Sequence, residues 1–129
     1  MSRIVLDASA VLALINDEPG SDIVAKALPG AAVNAVNLSE VVAKLAEANV
    51  PEWAIREALG NLGLEVVAFD QELAHLAGLL RPGTRQFGLS LGDRACLAMA
   101  QHLSVPAMTT DGVWRKLKIG VEIRVVRYP

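Results

Sequence analysis

Ile4-Val5-Leu6-Asp7-Ala8-Ser9-Ala10-Val11-Leu12-Ala13-Leu14-Ile15 sets a short apolar run against an aspartate and then a second, longer run. Ile4-Val5-Leu6 reads as a buried strand, because a strand covered on both faces loses the polar alternation of a half-exposed one. Ala8 to Ile15 reads as a helix, ended by the turn residues Asn16, Asp17, Pro19 and Gly20. The same alternation continues along the chain. Further strands are expected at Ala31-Ala32-Val33-Asn34, Leu64-Glu65-Val66-Val67, Pro106-Ala107-Met108-Thr109 and Ile123 to Val126. Helices are expected at Asp22 to Leu28, stopping at Pro29-Gly30, and at Leu38 to Ala48, with Val41, Val42, Leu45 and Ala48 on one stripe. Others run from Pro51 to about Asn61, from Gln71 to Leu80 with Pro82-Gly83 as a break, from Ser90 to His102, and briefly from Gly112 to Leu117. Strands separated by helices imply an α/β fold, a three-layer α/β/α sandwich around a central parallel sheet of about five strands. Right-handed crossovers then align the carboxyl ends of the strands along one edge, where open α/β sheets bind ligands.

The composition narrows the class. The chain has 129 residues, 53% apolar and 20% charged, enough for one domain spanning residues 1–129 and too apolar for a disordered tail. A single cysteine, Cys96, removes any internal disulfide framework. Despite a mean hydropathy of +0.38, no stretch approaches the roughly 18 apolar residues of a spanning helix. Asp7 interrupts the apolar start that a secretory signal would need. A soluble cytoplasmic protein without a membrane partner is the expectation. Net charge is −2, but residues 1–80 carry 4 Lys/Arg against 11 Asp/Glu and residues 81–129 carry 8 against 3. Such asymmetry suits a polyanion meeting the C-terminal half, and equally a solvated surface.

Four acids fall where this fold makes them interesting. Asp7 ends the first strand, and Glu40, in Asn37-Leu38-Ser39-Glu40, opens a helix. Asp93, in Ser90-Leu91-Gly92-Asp93, opens the long C-terminal helix, and Asp111 follows the fourth strand. Each has an ordinary explanation. Asn37-x-x-Glu40 and Ser90-x-x-Asp93 fit capping boxes, and Asp7 and Asp111 fit N-caps. Their coincidence at one edge points further, because clustered carboxylates repel unless a cation neutralises them. Oxygen-only ligands favour Mg²⁺ or Mn²⁺, and Cys96, His75 and His102 do not make a zinc set. Phosphodiester hydrolysis is the chemistry such a site serves.

With these segments in view, the chain resembles the PIN-domain ribonucleases, specifically the VapC-type toxins of type II toxin–antitoxin systems. The matching segments are Val5-Leu6-Asp7-Ala8-Ser9-Ala10, Asn37 to Leu45, Ser90 to Ala98, Thr109 to Trp114 and Gly120 to Arg127, in the family's order. The resemblance implies a PIN-like sandwich in which Asp7, Glu40, Asp93 and Asp111 are the catalytic, metal-binding acids, Asp7 and Asp93 being direct Mg²⁺ ligands. It also implies hydrolysis of RNA such as tRNA or rRNA to 3′-hydroxyl and 5′-phosphate ends, halting translation and growth. A homodimer, and a heterotetramer or larger assembly with an inhibitory VapB-type antitoxin, are implied as well. The chain departs from many members at Gly112, where they carry a basic residue. Arg94, Arg115 and Lys116 become the candidates for the cation at the scissile phosphate.

Around the acids, Ser9 and Thr110 are short hydroxyls suited to hydrogen-bond a ligand carboxylate, and Asn37 either orients Glu40 or caps its helix, the cap being favoured. Arg81, Arg85, Arg115, Lys116 and Lys118 form a basic rim. Trp114 and Cys96 read as core, Trp53 as core or a protein contact, and helices 38–48 and 52–61 as an apolar arm for a second copy or the antitoxin. Two other functions compete. An aspartyl-nucleophile phosphatase built on Asp7 usually carries a second acid two residues on, where this chain has Ser9. A non-catalytic PIN-like module binding RNA or protein would typically have lost acids that this chain keeps.

Overall fold

Pleating sends alternate strand residues to opposite faces, and the first strand shows the consequence. Ile4 and Leu6 join an apolar cluster on one face of the sheet, and Val5 joins a separate cluster on the other. In the computed structural model, which describes residues 2–126, that strand (β1, Ile4–Leu6) is the middle of five. Met1 and residues 127–129 lie outside the described residues, and with them the Arg127 that ends the C-terminal matching segment.

The remaining strands are β2 (Ala31–Asn34), β3 (Glu65–Val67), β4 (Ala107–Thr109) and β5 (Ile123–Val125). All pairings are parallel, in the order β3-β2-β1-β4-β5, with Leu6 opposite Val33 on one side and Met108 on the other. β1, β2 and β4 are buried, while the edge strands are not: Glu65, Val66 and Arg124 face solvent. The sheet is therefore covered on both faces only through its three central strands.

Helices α1 (Ala8–Ile15), α2 (Ser21–Ala27), α3 (Ala35–Glu47) and α4 (Glu52–Gly60) cover one face. They contribute Ala10, Val11, Val24, Val41, Leu45 and Ile55 to the cluster around Ile4, Leu6, Val33 and Met108. Helices α5 (Gln71–Leu79) and α7 (Leu91–Leu103) cover the other, packing Leu73, Ala77, Cys96, Leu97 and Met99 with Val5, Ala32 and Trp114. Pro82-Gly83, expected to break the chain, sits inside a one-turn helix, α6 (Arg81–Thr84), with Pro82 in its first turn, where a missing N–H costs nothing. A five-residue 3₁₀ helix, Gly112–Lys116, follows β4 and buries Trp114 completely. Among the described residues, no helix is long and apolar enough to cross a membrane.

One boundary differs in a way that matters. The third helix begins at Ala35, not Leu38, because Asn34 ends β2 and caps the helix itself, its side chain accepting from Val36 N–H at 2.8 Å. The strand enters the helix with no intervening turn. Asn37 thus lies inside α3 and Glu40 in its second turn. Val42, expected on the buried stripe, is exposed.

Candidate functional site

The order β3-β2-β1-β4-β5 reverses direction between β1 and β4, and the crevice at such a switch point is the natural ligand site of an open parallel sheet. Asp7 leaves β1 there, and Thr109 leaves β4 beside it. Asp7 caps α1, its Oδ1 accepting from Ala10 N–H at 2.8 Å and from Ser9 Oγ at 2.7 Å, while Thr109 Oγ1 donates to Oδ2 at 2.6 Å. It is only 5% exposed. Burial is the main reason its pKa rises from 3.8 to about 6, with the charge of Asp93 adding; the bonds from Thr109, Ser9 and Ala10 pull the other way.

Glu40 arrives from α3 across the end of the sheet. Asn37 Nδ2 donates to Glu40 Oε1 at 2.9 Å and to the Gly92 carbonyl at 2.9 Å, tying the first turns of α3 and α7 together. The expected cap role of Asn37 is therefore replaced by the orienting one, because Asn34 already occupies the cap. Gly92 has a reason of its own: a Cβ there would collide with the Glu40 carboxyl group. Asp93 lies in the first turn of α7, in the capping box expected with Ser90; its Oδ2 accepts from Ser90 N–H at 2.9 Å, and Ser90 Oγ accepts from Asp93 N–H at 3.1 Å. Asp111 caps the 3₁₀ helix through Oδ1 and Val113 N–H at 3.0 Å.

Three of the acids keep the helix-entry roles expected of them, Asp7 and Asp111 as caps and Asp93 in its capping box, whereas the capping box expected of Asn37 and Glu40 is absent because Asn34 caps α3. Asp7, Glu40, Asp93 and Asp111 line one open cleft of about 240 Å³ with Ala8, Ser9, Leu12, Asn37 and Lys44. Each carboxyl group is turned toward a donor of its own element, and that of Asp7 also toward Thr109 of β4. Among the described residues, no three His, Cys, Asp or Glu side chains are arranged to hold one ion between them. The donor set nevertheless fits a hard divalent cation. All four side chains are carboxylates, and Glu40 Oε2, Asp93 Oδ1 and Asp111 Oδ2 carry no hydrogen bond among the described residues. The missing Cβ of Gly92 makes the room that the Glu40 carboxyl group occupies.

The surrounding residues sort differently from their expectation. Ser9 does bond Asp7, and its Oγ accepts from Thr110 N–H at 3.0 Å. It stands where an aspartyl-nucleophile phosphatase would carry its second acid. The hydroxyl that holds Asp7 from β4, however, is that of Thr109, not of Thr110; Thr109 is fully buried and its Oγ1 also accepts from Asp111 N–H at 3.0 Å. The two residues are adjacent, and strand parity turns the first of them inward. Arg94 points away from the acids, its Nη1 donating to the Ala77 carbonyl of α5 at 3.1 Å. Arg115 lies with its Nη1 against Gly112, next to Asp111, and Lys116 is exposed outside the cleft lining. Lys44 is a functional candidate that only the structure brings forward: it lines the cleft, one helical turn after Glu40 on the same face of α3.

Neither histidine joins the site, both being exposed on helices of the outer layer. Cys96 is fully buried, and its thiol is pushed up by burial and by the charges of Asp7, Asp93 and Glu40, so it stays a protonated core group.

Comparison with known proteins gives the arrangement its family. Residues 4–120 match the family model described as the PIN domain. No curated protein sequence matches the chain. Among solved structures, a toxin-antitoxin complex from Klebsiella pneumoniae is similar at 18% identity, covering 93% of this chain and 99% of that one with a TM-score of 0.69. The DNA-bound VapBC of Salmonella typhimurium is similar at 17% identity, covering 95% and 97%, with a TM-score of 0.75. VapBC-5 of Mycobacterium tuberculosis follows at 20% identity, 99% and 100% coverage and a TM-score of 0.57. Likeness at these identities concerns the fold, which is the five-stranded parallel sandwich described above. With the family model spanning β1 through the residues before β5, the chain belongs to the PIN domain family.

Proposed function

We propose that the chain is a VapC-type toxin, a Mg²⁺- or Mn²⁺-dependent endoribonuclease. The observation that carries this reading is that four acids from four separate elements line one cleft at the switch point of the sheet. Asp7, Glu40, Asp93 and Asp111 would hold the metal, with Asp7 and Asp93 as its direct ligands. A divalent ion bound there would supply positive charge and Lewis acidity to the phosphate.

The residues of the chain do the rest. Ser9, Thr109 and the Ala10 amide fix the Asp7 carboxyl group, and Asn37 and Gly92 fix that of Glu40, so the acids are oriented before substrate arrives. Hydrolysis forms a bond from water oxygen to phosphorus and breaks the bond to the 3′ oxygen, leaving a 5′-phosphate and a 3′-hydroxyl. An acid left free of the metal accepts the water's proton, and the departing oxygen takes one up. The open cleft suits a single-stranded segment of a structured RNA such as tRNA or rRNA, and cutting it would stop translation.

A VapB-type antitoxin is the proposed inhibitor and a homodimer the proposed state. An apolar groove of about 600 Å³ between α3, α4 and β3, lined by Val42, Ile55, Leu59 and Val66, is the surface the antitoxin would cover. Incubating total RNA with the protein in Mg²⁺, in EDTA, and with Asp7→Asn or Asp93→Asn tests the reading. Cleavage confined to wild type with Mg²⁺ is expected. Cleavage that survives both the chelator and the substitutions would sink it, and a chain that binds RNA without cutting it would be a non-catalytic module.

A further inference from the structure

An RNA phosphate entering this cleft meets Asp7, Glu40, Asp93 and Asp111 together, and one divalent ion leaves those four charges only half neutralised. A cation from the chain itself is needed, and the three arginine and lysine side chains that the sequence offered are spoken for or misplaced. The Arg94 guanidinium is turned to the Ala77 carbonyl, that of Arg115 is folded against Gly112, and Lys116 lies outside the lining. Lys44 does line it. It stands on α3 four residues after Glu40, on the same helix face, and its side chain is exposed. Among the described residues the ion pairs are Arg56–Glu52 and Arg124–Glu122, so its ammonium is not engaged by a carboxylate. A lysine is a compact charge with three donors on a flexible stem, suited to follow a phosphate rather than grip one orientation.

We propose that Lys44 is the phosphate-positioning residue of the cleft, its ammonium donating to a backbone phosphate oxygen of RNA next to the bond that is cut. The inference rests on the ribonuclease reading above for its substrate. The competing explanation is structural: Lys44 falls in the last turn of α3, where a cation favours the helix dipole. That role would alter stability and leave RNA affinity alone.

The test uses Lys44→Gln and Lys44→Arg in the full chain with a fluorescein-labelled single-stranded oligoribonucleotide. Cleavage in Mg²⁺ gives KM and kcat; anisotropy in Ca²⁺ gives affinity between about 50 and 200 mM salt. Lys44→Gln is expected to raise KM and Kd about tenfold, the size of one charge-assisted hydrogen bond, with kcat near wild type and Tm unchanged. Its plot of log affinity against log salt should flatten by about 0.7, the loss of one contact to a single strand. Lys44→Arg should restore most of both. Affinity, salt slope and KM all at wild-type values in Lys44→Gln would overturn the proposal, as would a fall in kcat alone. Wild-type protein that binds the RNA without cutting it, yet loses affinity and salt slope in Lys44→Gln, would keep the phosphate contact and overturn the ribonuclease reading instead.

Discussion

Replacing Asp7 by asparagine should make the metal-free protein more stable at neutral pH while abolishing its proposed activity. The carboxyl group is buried, and its pKa rises from 3.8 to about 6. The folded chain therefore holds the proton more tightly than the unfolded chain does. Stability from this group is present in full below about pH 4 and is lost as pH rises through about 6. At about 1.4 kcal/mol for each tenfold change in proton affinity, the loss at pH 7.5 comes to about 3 kcal/mol. Asparagine carries no charge, caps a helix as well as aspartate does, and keeps an oxygen for the Ala10 amide and Ser9 hydroxyl. Its amide nitrogen would face Thr109 Oγ1, which must turn from donor to acceptor at a cost of about 1 kcal/mol. The net gain expected for Asp7→Asn at pH 7.5 in EDTA is about 2 kcal/mol, read by urea unfolding followed by circular dichroism. Between pH 5 and 7.5 the wild type should lose stability relative to the variant, and Mg²⁺ should return it to the wild type alone. A variant less stable than wild type at pH 7.5 in EDTA, or a difference that does not change with pH, would refute the reasoning.

Four further substitutions probe the rest of the site. Gly92→Ala should hold or raise Tm, since alanine favours a helix by up to about 1 kcal/mol, while RNA cleavage falls at least about tenfold because the new methyl displaces the Glu40 carboxyl group. Unchanged cleavage would remove Glu40 from the machinery. Thr109→Val should weaken both cleavage and stability, by about 1–3 kcal/mol for the polar groups it leaves unpaired, whereas Thr110→Val should resemble wild type in the same two assays. Equal effects at the two positions would contradict the geometry. Trp114→Ala, which empties a fully buried site under the Asp111 turn, should cost about 3–5 kcal/mol in urea unfolding.

Most of the fold was legible because its signals are local. The run Ile4-Val5-Leu6 followed by Asp7 and an apolar helix, and the Ser90–Asp93 capping box, depend on residues within one turn of each other, and both stand in the structure as read. What was misread depends on contacts distant in the chain. Asn34 and Asn37 are equally good caps by type. Only the Gly92 carbonyl, fifty-five residues away, reveals Asn37 as the brace of Glu40. Thr109 and Thr110 are adjacent hydroxyls of the same type, and only the packing of β4 against β1 shows that Thr109 is the one that reaches Asp7. Lys44 at four residues from Glu40 has the spacing of a common surface ion pair, and its place in the cleft follows from how α3 crosses the sheet end toward α7. Arg94, adjacent to Asp93 in sequence, lies about a hundred degrees around the helix from it and so faces α5.

The central claim is that the four acids act together as one divalent-ion site, and calorimetric titration of the metal-free protein with Mn²⁺ at pH 7.5 tests it most directly. Saturable binding that disappears in both Asp7→Asn and Asp93→Asn, with each variant still folded, is the result the account requires. No saturable heat in the wild type, or binding that persists unchanged in both variants, would contradict it.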